Sequence, residues 1–326
     1  MNRRSFVATI GASLAFPGSA FAQTPTRVYR IGLLTPGPVM TDKTPQVASL
    51  ILGLTKRGYM LERNFVFERR GMEGQVDRLP RLIDELVASK LDLIVAIGYP
   101  PALAAKQRTS LPVVAVAAGD PVGTGLVNSL ARPGGNMTGI SDVSAELTPK
   151  RLDLLKQMAP RLRRVAIIWN INDLAMTLRY EASETGAKAV GISVQPLPVR
   201  SAADFEQAFA SMTREMPDAI LLVADGLTIA NRKRVFEFAA THRLPAMYEF
   251  DFIVRDGGLM SYAPELEESY DRAAYLIDRI LKGAKPAELP FEQPRRFRLA
   301  INLKTAKALG LTVPPALLTA ADEVIE

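Results

Sequence analysis

Six short segments carry the residues whose types could do chemistry: Thr35-Pro36, Gly98-Tyr99-Pro100, Gly119-Asp120, Asn170-Ile171-Asn172, Asp225-Gly226 and Tyr248-Glu249. Each follows an apolar run that reads as a β-strand, and in open α/β sheets ligands bind at loops beyond the carboxyl ends of strands. Together these loops offer one or two aromatics, several amides and hydroxyls, and three carboxylates. That inventory suits hydrogen-bonding a small polar or zwitterionic solute and stacking on its apolar part. Thr35, Pro36, Gly98, Tyr99, Asp120, Asn170, Asn172, Asp225, Tyr248 and Glu249 are therefore the candidate ligand-binding residues. Plainer roles compete. Asp120, before Pro121, can simply start a turn. Asn170, Asn172 and Asp225 can cap the helices that follow them, and Tyr248 can be core.

Catalysis fits these loops poorly, because no spacing pairs a base with a nucleophile. The chain has no cysteine and one histidine, His242, which excludes disulfides, thiol nucleophiles and Cys-ligated metals. A Ser-His-Asp triad or a His-rich metal site would rest on that one imidazole. Its surroundings, residues 239–245, read as a helix end, where a cation favours the helix dipole. The run Gly119-Asp120-Pro121-Val122-Gly123-Thr124-Gly125 lacks the phosphate-loop lysine and does not match the Gly-x-Gly-x-x-Gly spacing, so a tight turn is the better reading. No catalytic residue, metal or cofactor is expected.

The elements that must position these loops alternate. Apolar runs at 28–34, 64–69, 92–97 and 112–117 read as strands, separated by helical patterns at 44–57, at 79–87 and after Pro100-Pro101. After residue 140 the same grammar restarts. Thr148-Pro149 resembles an N-cap and first-turn pair, and Ser201 with Asp204 resembles a capping box. Runs at 165–169, 192–197, 219–224 and 245–248 alternate with helices at 173–189, beyond 201 and at 228–241. Short continuous apolar runs between helices indicate strands buried on both faces of a parallel sheet. Two doubly wound α/β units result, each of four or five parallel strands. Three extended stretches, at 137–141, 259–262 and 297–303, can cross between them and leave a cleft. An amphipathic helix through Leu266, Tyr270, Ala273, Ile277 and Ile280 follows the second stretch, and a short helix at 305–309 follows the third.

Composition agrees with a soluble two-domain protein. The chain has 326 residues, 48% hydrophobic and 23% charged, and a net charge of +6. The excess is mild and its arginines are scattered, whereas a nucleic-acid binder concentrates them in a stripe or arm; no nucleic-acid partner is expected. At the start, Arg3-Arg4, an apolar stretch of about 11 residues at 6–16 and Ala20-Phe21-Ala22 form the three-part pattern of a secretory signal peptide. The stretch is far short of the roughly 20 residues that span a bilayer. Residues 1–22 are expected to be cleaved after Ala22, placing the mature protein in the periplasm. Arg3-Arg4-Ser5-Phe6-Val7 also resembles a twin-arginine signal, an alternative export route.

Asp120-Pro121-Val122-Gly123, Gly125-Leu126-Val127 and the stretch from Leu130-Ala131-Arg132-Pro133-Gly134-Gly135-Asn136 to Thr138-Gly139 resemble the signature of a bacterial family of ABC-transporter solute-binding proteins that includes tryptophan-binding members. So do Gly257-Gly258-Leu259-Met260-Ser261-Tyr262, the segment from Ile301 to Leu311 with Val313-Pro314, and Ala321-Asp322-Glu323-Val324-Ile325. The resemblance spans nearly all of the mature chain. It implies a type I periplasmic-binding-protein fold, two doubly wound parallel-sheet lobes joined by three hinge crossings that close on a ligand. One lobe would hold residues 27–139 plus 263–284, the other 140–262 plus 297–326. Gly139, Ile140, Ser141, Gly258, Ser261 and Tyr262 would be the hinge. Tyr99 and Ala263-Pro264 depart from the family pattern beside the cleft or hinge, so a tryptophan-like ligand does not carry over.

The expected function is a receptor that captures a small organic solute, an amino acid or an aromatic compound, and delivers it as a monomer to an inner-membrane ABC permease. Asp225 would meet an amine or hydroxyl donor, Thr35 and Asn170 the opposite polar end, and Tyr99 or Tyr248 the apolar part. Competing readings are a secreted α/β enzyme such as a hydrolase, which would turn its ligand over, and a periplasmic sensor partner, which would present it to a signalling receptor.

Overall fold

The computed structural model describes residues 27–326; the expected signal segment, residues 1–22, lies outside them. The first sheet is built from β1 (Tyr29–Thr35), β2 (Phe65–Gly71), β3 (Leu93–Ile97), β4 (Val113–Val116) and β5 (Met137–Ile140), all parallel, in the order β2-β1-β3-β4-β5. The second contains β6 (Arg164–Asn170), β7 (Ser193–Val199), β8 (Ala219–Leu222), β9 (Ala246–Tyr248), β10 (Met260–Pro264), β11 (Phe297–Asn302) and β12 (Glu323–Ile325). Its order is β12-β11-β10-β9-β8-β6-β7, with β11 antiparallel to β10. The second lobe is therefore larger than the four or five parallel strands expected. The last crossing brings the chain back into it from the opposite direction, and β12 pairs with β11.

Alternation along the continuous apolar runs supplies both faces of each sheet. In β3, Leu93, Val95 and Ile97 join Leu50 and Leu54 of the helix Pro45–Thr55, while Ile94 and Ala96 face Leu82, Ile83 and Leu86 of the helix Leu79–Ala88. Each such fully buried aliphatic side chain contributes about 1.5–3 kcal/mol. In β6, Ala166 and Ile168 pack with Phe205 and Met212, and Val165, Ile167 and Trp169 face the other way. The helix Leu266–Leu281 covers the first sheet, with Ala273 and Ile277 against the Leu50–Leu54 face.

Three crossings join the lobes. Glu292 bridges the first and third: its N–H donates to Gly139 O (2.8 Å) and its carbonyl accepts from Ser141 N–H (2.9 Å). Glu265 N–H donates to Arg296 O (2.9 Å), joining the second to the third. Most of the expected hinge residues lie in or beside the sheets. Gly139 and Ile140 pair with Ala115 and Val116 inside the first sheet, and Ser261 and Tyr262 pair with Ala300 and Leu299 inside the second. Gly258 abuts the Tyr248 ring in the same lobe. Residues held in a ladder cannot absorb a large dihedral change. Between the two sheets run Ser141 onwards, the Pro264–Glu265 junction and the segment around Glu292. The lobe boundaries shift accordingly: Ile140 belongs with the first sheet and Ala263-Pro264 with the second.

Two helix starts also differ. Thr148 is the first helical residue rather than the cap, its hydroxyl donating to Ser144 O (3.3 Å). The pattern at 228–241 is two helices, Gly226–Ala230 and Arg232–His242, broken at Asn231, whose amide donates to Leu227 O (3.0 Å).

Candidate ligand site between the lobes

The carboxyl ends of β1 and β3 face those of β6, β8 and β9, and a cavity lies between them. About 130 Å³ of it is open to the centre of a water-sized sphere, roughly ten times what one water requires. Pro36, Ile97, Gly98, Tyr99 and Tyr270 line it from the first lobe, and Asn170, Asp173, Asp225 and Phe250 from the second, with Ser141 and Pro264 at the crossings. Further apolar wall comes from Met40, Met72, Val76, Met176 and Phe252. Gln46 Oε1 and Arg179 Nε, on two lining residues, are buried without a protein partner.

The lobes are in contact. A Cβ on Gly226, in the second lobe, would stand 2.8 Å from Pro36 O in the first. Only a residue without a side chain lets the two loops approach this closely.

Each polar group is held by its helix. Gly98, at φ +82°, turns the chain from β3 into the helix Tyr99–Arg108, a conformation that costs glycine little. Pro100 and Pro101 follow in its first turn. Asp225 caps the helix Gly226–Ala230: its Oδ1 accepts from Thr228 N–H (2.8 Å) while Thr228 Oγ1 accepts from Asp225 N–H (2.9 Å). Its Oδ2 accepts from Asn170 Nδ2 (2.6 Å). Asp173 caps the helix Leu174–Ala189, its Oδ1 accepting from Ala175 N–H (2.9 Å) and Met176 N–H (3.4 Å). Burial, then the charge of Asp225, pushes the Asp173 carboxyl up to about 7, against the pull of Arg179 and its own backbone donors. Burial and the Asp173 charge also raise the Tyr99 phenol, keeping it protonated.

A buried ionic chain borders the cavity, and its Asp142 and Arg179 help to line it. Arg179 donates to Asp142 and to Glu249 Oε2 (2.8 Å), and Arg151, 1% exposed, donates to Glu249 Oε1 (3.1 Å) and to the carbonyls of Ser144 and Tyr262. Burial opposes the Arg179 charge, but Asp142, Glu249 and Asp173 hold it firmly protonated.

Of the ten residues expected at the site, Pro36, Gly98, Tyr99, Asn170 and Asp225 line the cavity. The other five have different work. Thr35 spends its hydroxyl on Pro38 O (3.0 Å) and Arg70 O (3.4 Å). Asp120 is a turn former, its Oδ1 accepting from Val122 N–H (3.0 Å) and Gly123 N–H (2.9 Å). Asn172 is exposed and donates its N–H to Asn170 Oδ1 (3.0 Å). Tyr248 is core, edge-on to Phe236. Glu249 joins the ionic chain rather than the wall. His242 ends its helix against Phe238.

Sequence reasoning missed Asp142, Asp173, Met176, Arg179, Phe250 and Phe252. A signal existed for Arg179. It shares the buried face of its helix with Met176, Ser183 and Ala187, and a charged residue on an inward face announces a buried partner. Phe250 and Phe252 stack in parallel, 5.6 Å between centroids, in a loop whose direction only the fold reveals.

Two α/β lobes joined by three crossings, with an apolar cavity and a few convergent polar groups between them, define a ligand-capturing protein of the periplasmic-binding class. A model of the ABC transporter substrate-binding protein family matches residues 41–325, and the chain belongs to that family. It is 26% identical over 262 residues, 80% of this chain and 75% of the relative, to a tyrosine-binding protein of Clostridioides difficile. Among solved structures it resembles an ABC domain from Streptococcus pneumoniae in complex with L-Trp, with a TM-score of 0.82 and 27% identity, covering 91% of this chain and 99% of the other. A conserved domain protein from Vibrio cholerae O1 shares the fold, with a TM-score of 0.84 and 24% identity over 92% of this chain and 99% of that one.

Proposed function

We propose that this chain is the extracytoplasmic receptor of an ABC importer for a small solute with an aromatic or apolar body and a basic nitrogen. The observation that carries this is the cavity between the lobes, with Tyr99, Tyr270 and Phe250 for the body and the Asp225 carboxylate for the nitrogen. The tyrosine and tryptophan named for two relatives fit the same description. The receptor is exported, works as a monomer and hands its ligand to a membrane permease.

A thermal-shift screen against aromatic amino acids, aromatic amines, branched amino acids, aromatic acids and purines tests the reading. A member of the first two classes at 100 times its dissociation constant should stabilise by about 2.7 kcal/mol. It should bind one per chain and be recovered unchanged. Chemical conversion of the ligand would mark an enzyme instead, and stabilisation only by acids or purines would refute the basic-nitrogen reading.

A further inference from the structure

Two buried polar atoms on residues of the cavity wall have no partner in the protein, and they stand on opposite lobes. Arg179 Nε belongs to the second lobe and Gln46 Oε1 to the first. Among the described residues no other lining residue has a buried side-chain nitrogen or oxygen in this state. A buried polar group left unmet is costly, and folded proteins keep few of them.

The two atoms require opposite partners. Arg179 is 3% exposed, and Asp142 and Glu249 take up its other two nitrogens and hold its charge. Nε can only donate, so its missing partner is an acceptor, and a carboxylate oxygen on a guanidinium is the strongest kind. Asn170, Asp173 and Asp225 line the cavity from the same lobe, which makes this the side for the polar head of a ligand. Gln46 lies in the first turn of the helix Pro45–Thr55. Its lobe offers a mostly apolar wall, with Met40, Met72, Val76 and the rings of Tyr99 and Tyr270. Oε1 can only accept, so its missing partner is a donor carried on the apolar body of the ligand.

We propose that Arg179 and Gln46 read the two ends of one ligand that bridges the lobes: an aromatic amino acid whose carboxylate accepts from Arg179 Nε and whose ring carries a hydrogen-bond donor for Gln46 Oε1. The inference rests on the receptor reading above and narrows it. It adds a carboxylate to the basic nitrogen, and a phenol O–H or indole N–H to the aromatic body. The ammonium remains with Asp225, in a charge-assisted hydrogen bond. A ring without the donor would cover Gln46 Oε1 and leave it unmet, which is how a buried polar group rejects an analogue that lacks its partner.

Calorimetric titration of the purified mature protein tests each end with compounds that differ by one group. L-tyrosine and L-tryptophan carry both the carboxylate and the ring donor. Tyramine and tryptamine lack the carboxylate; L-phenylalanine and 3-benzothienyl-L-alanine lack the ring donor. In whichever series binds, the amino acid with both groups should bind at least about tenfold more tightly than either analogue. Arg179 is too deeply paired to be replaced without disturbing the fold, so its end is read from the ligands alone. Gln46→Met keeps the length of the side chain and removes the acceptor. In that variant the preference over L-phenylalanine or 3-benzothienyl-L-alanine should vanish while the preference over the amine stays. A fold defect would weaken all the compounds alike and leave that ratio where it was. An amine binding as tightly as its amino acid, an analogue without the ring donor binding as tightly as its parent, or a ring preference that survives Gln46→Met overturns the two-ended reading and leaves the receptor reading standing. Silence from all six compounds overturns both.

Discussion

Asp225 has two roles that a single substitution would confuse. It caps a helix through Thr228 and presents a carboxylate to the cavity. Asp225→Ala removes both, and should lower stability by about 1 kcal/mol and affinity for an amine by roughly 10- to 150-fold. Asp225→Asn retains the cap and should lower affinity alone. Melting temperature and affinity measured on both variants separate the roles; Asp225→Asn with unchanged amine affinity would remove the carboxylate from recognition. Asp173 predicts a pH dependence. Its folded carboxyl titrates near 7 against an ordinary 3.8, so the folded state holds its proton longer than the unfolded chain does. The group costs little below about pH 4, an increasing amount as pH rises towards 7, and a constant amount above, on the order of 4 kcal/mol. Asp173→Asn keeps the cap without the charge. Melting curves should show the variant several degrees more stable at pH 8 and equal to the parent at pH 4; a pH-independent difference would contradict the assignment.

At the scale of elements, the Gly226 loop of one lobe meets Pro36 of the other. Gly226 needs no left-handed backbone, so a larger residue fits locally, but its Cβ would collide with Pro36 O across the cleft. Gly226→Val should leave the ligand-free melting temperature unchanged and weaken binding by at least about tenfold. Solution scattering should show the parent contracting with saturating ligand and the variant not contracting. Contraction of both would mean that the lobes close elsewhere. The three crossings are tied to one another through Glu292 and Glu265, so any bending there should be concerted.

At the scale of the whole molecule, export is expected. The segment before residue 23 reads as a cleavable signal, and N-terminal sequencing of protein from the periplasm should begin at Gln23; intact Met1 on working protein would refute it. The architecture was largely legible because it follows from local pattern. Runs such as 92–97, too short and too apolar for a surface helix, had to be strands covered on both sides, and their alternation with amphipathic helices leaves a parallel sheet as the economical solution. The strand-end rule likewise led to Pro36, Gly98, Tyr99, Asn170 and Asp225, because it depends only on chain direction. What the pattern cannot contain is direction within a loop and pairing across the chain. Tyr248 and Phe250 stand two residues apart, yet one is core and the other cavity wall. Glu249 finds its cations on two helices 98 and 70 residues away in sequence. The seven-stranded second sheet and the buried ionic chain beside the cavity are both long-range facts. Local sequence determined which segments fold into lobes and where their loops emerge; only packing of distant segments decided which side chains meet, and therefore which charges are left for a ligand.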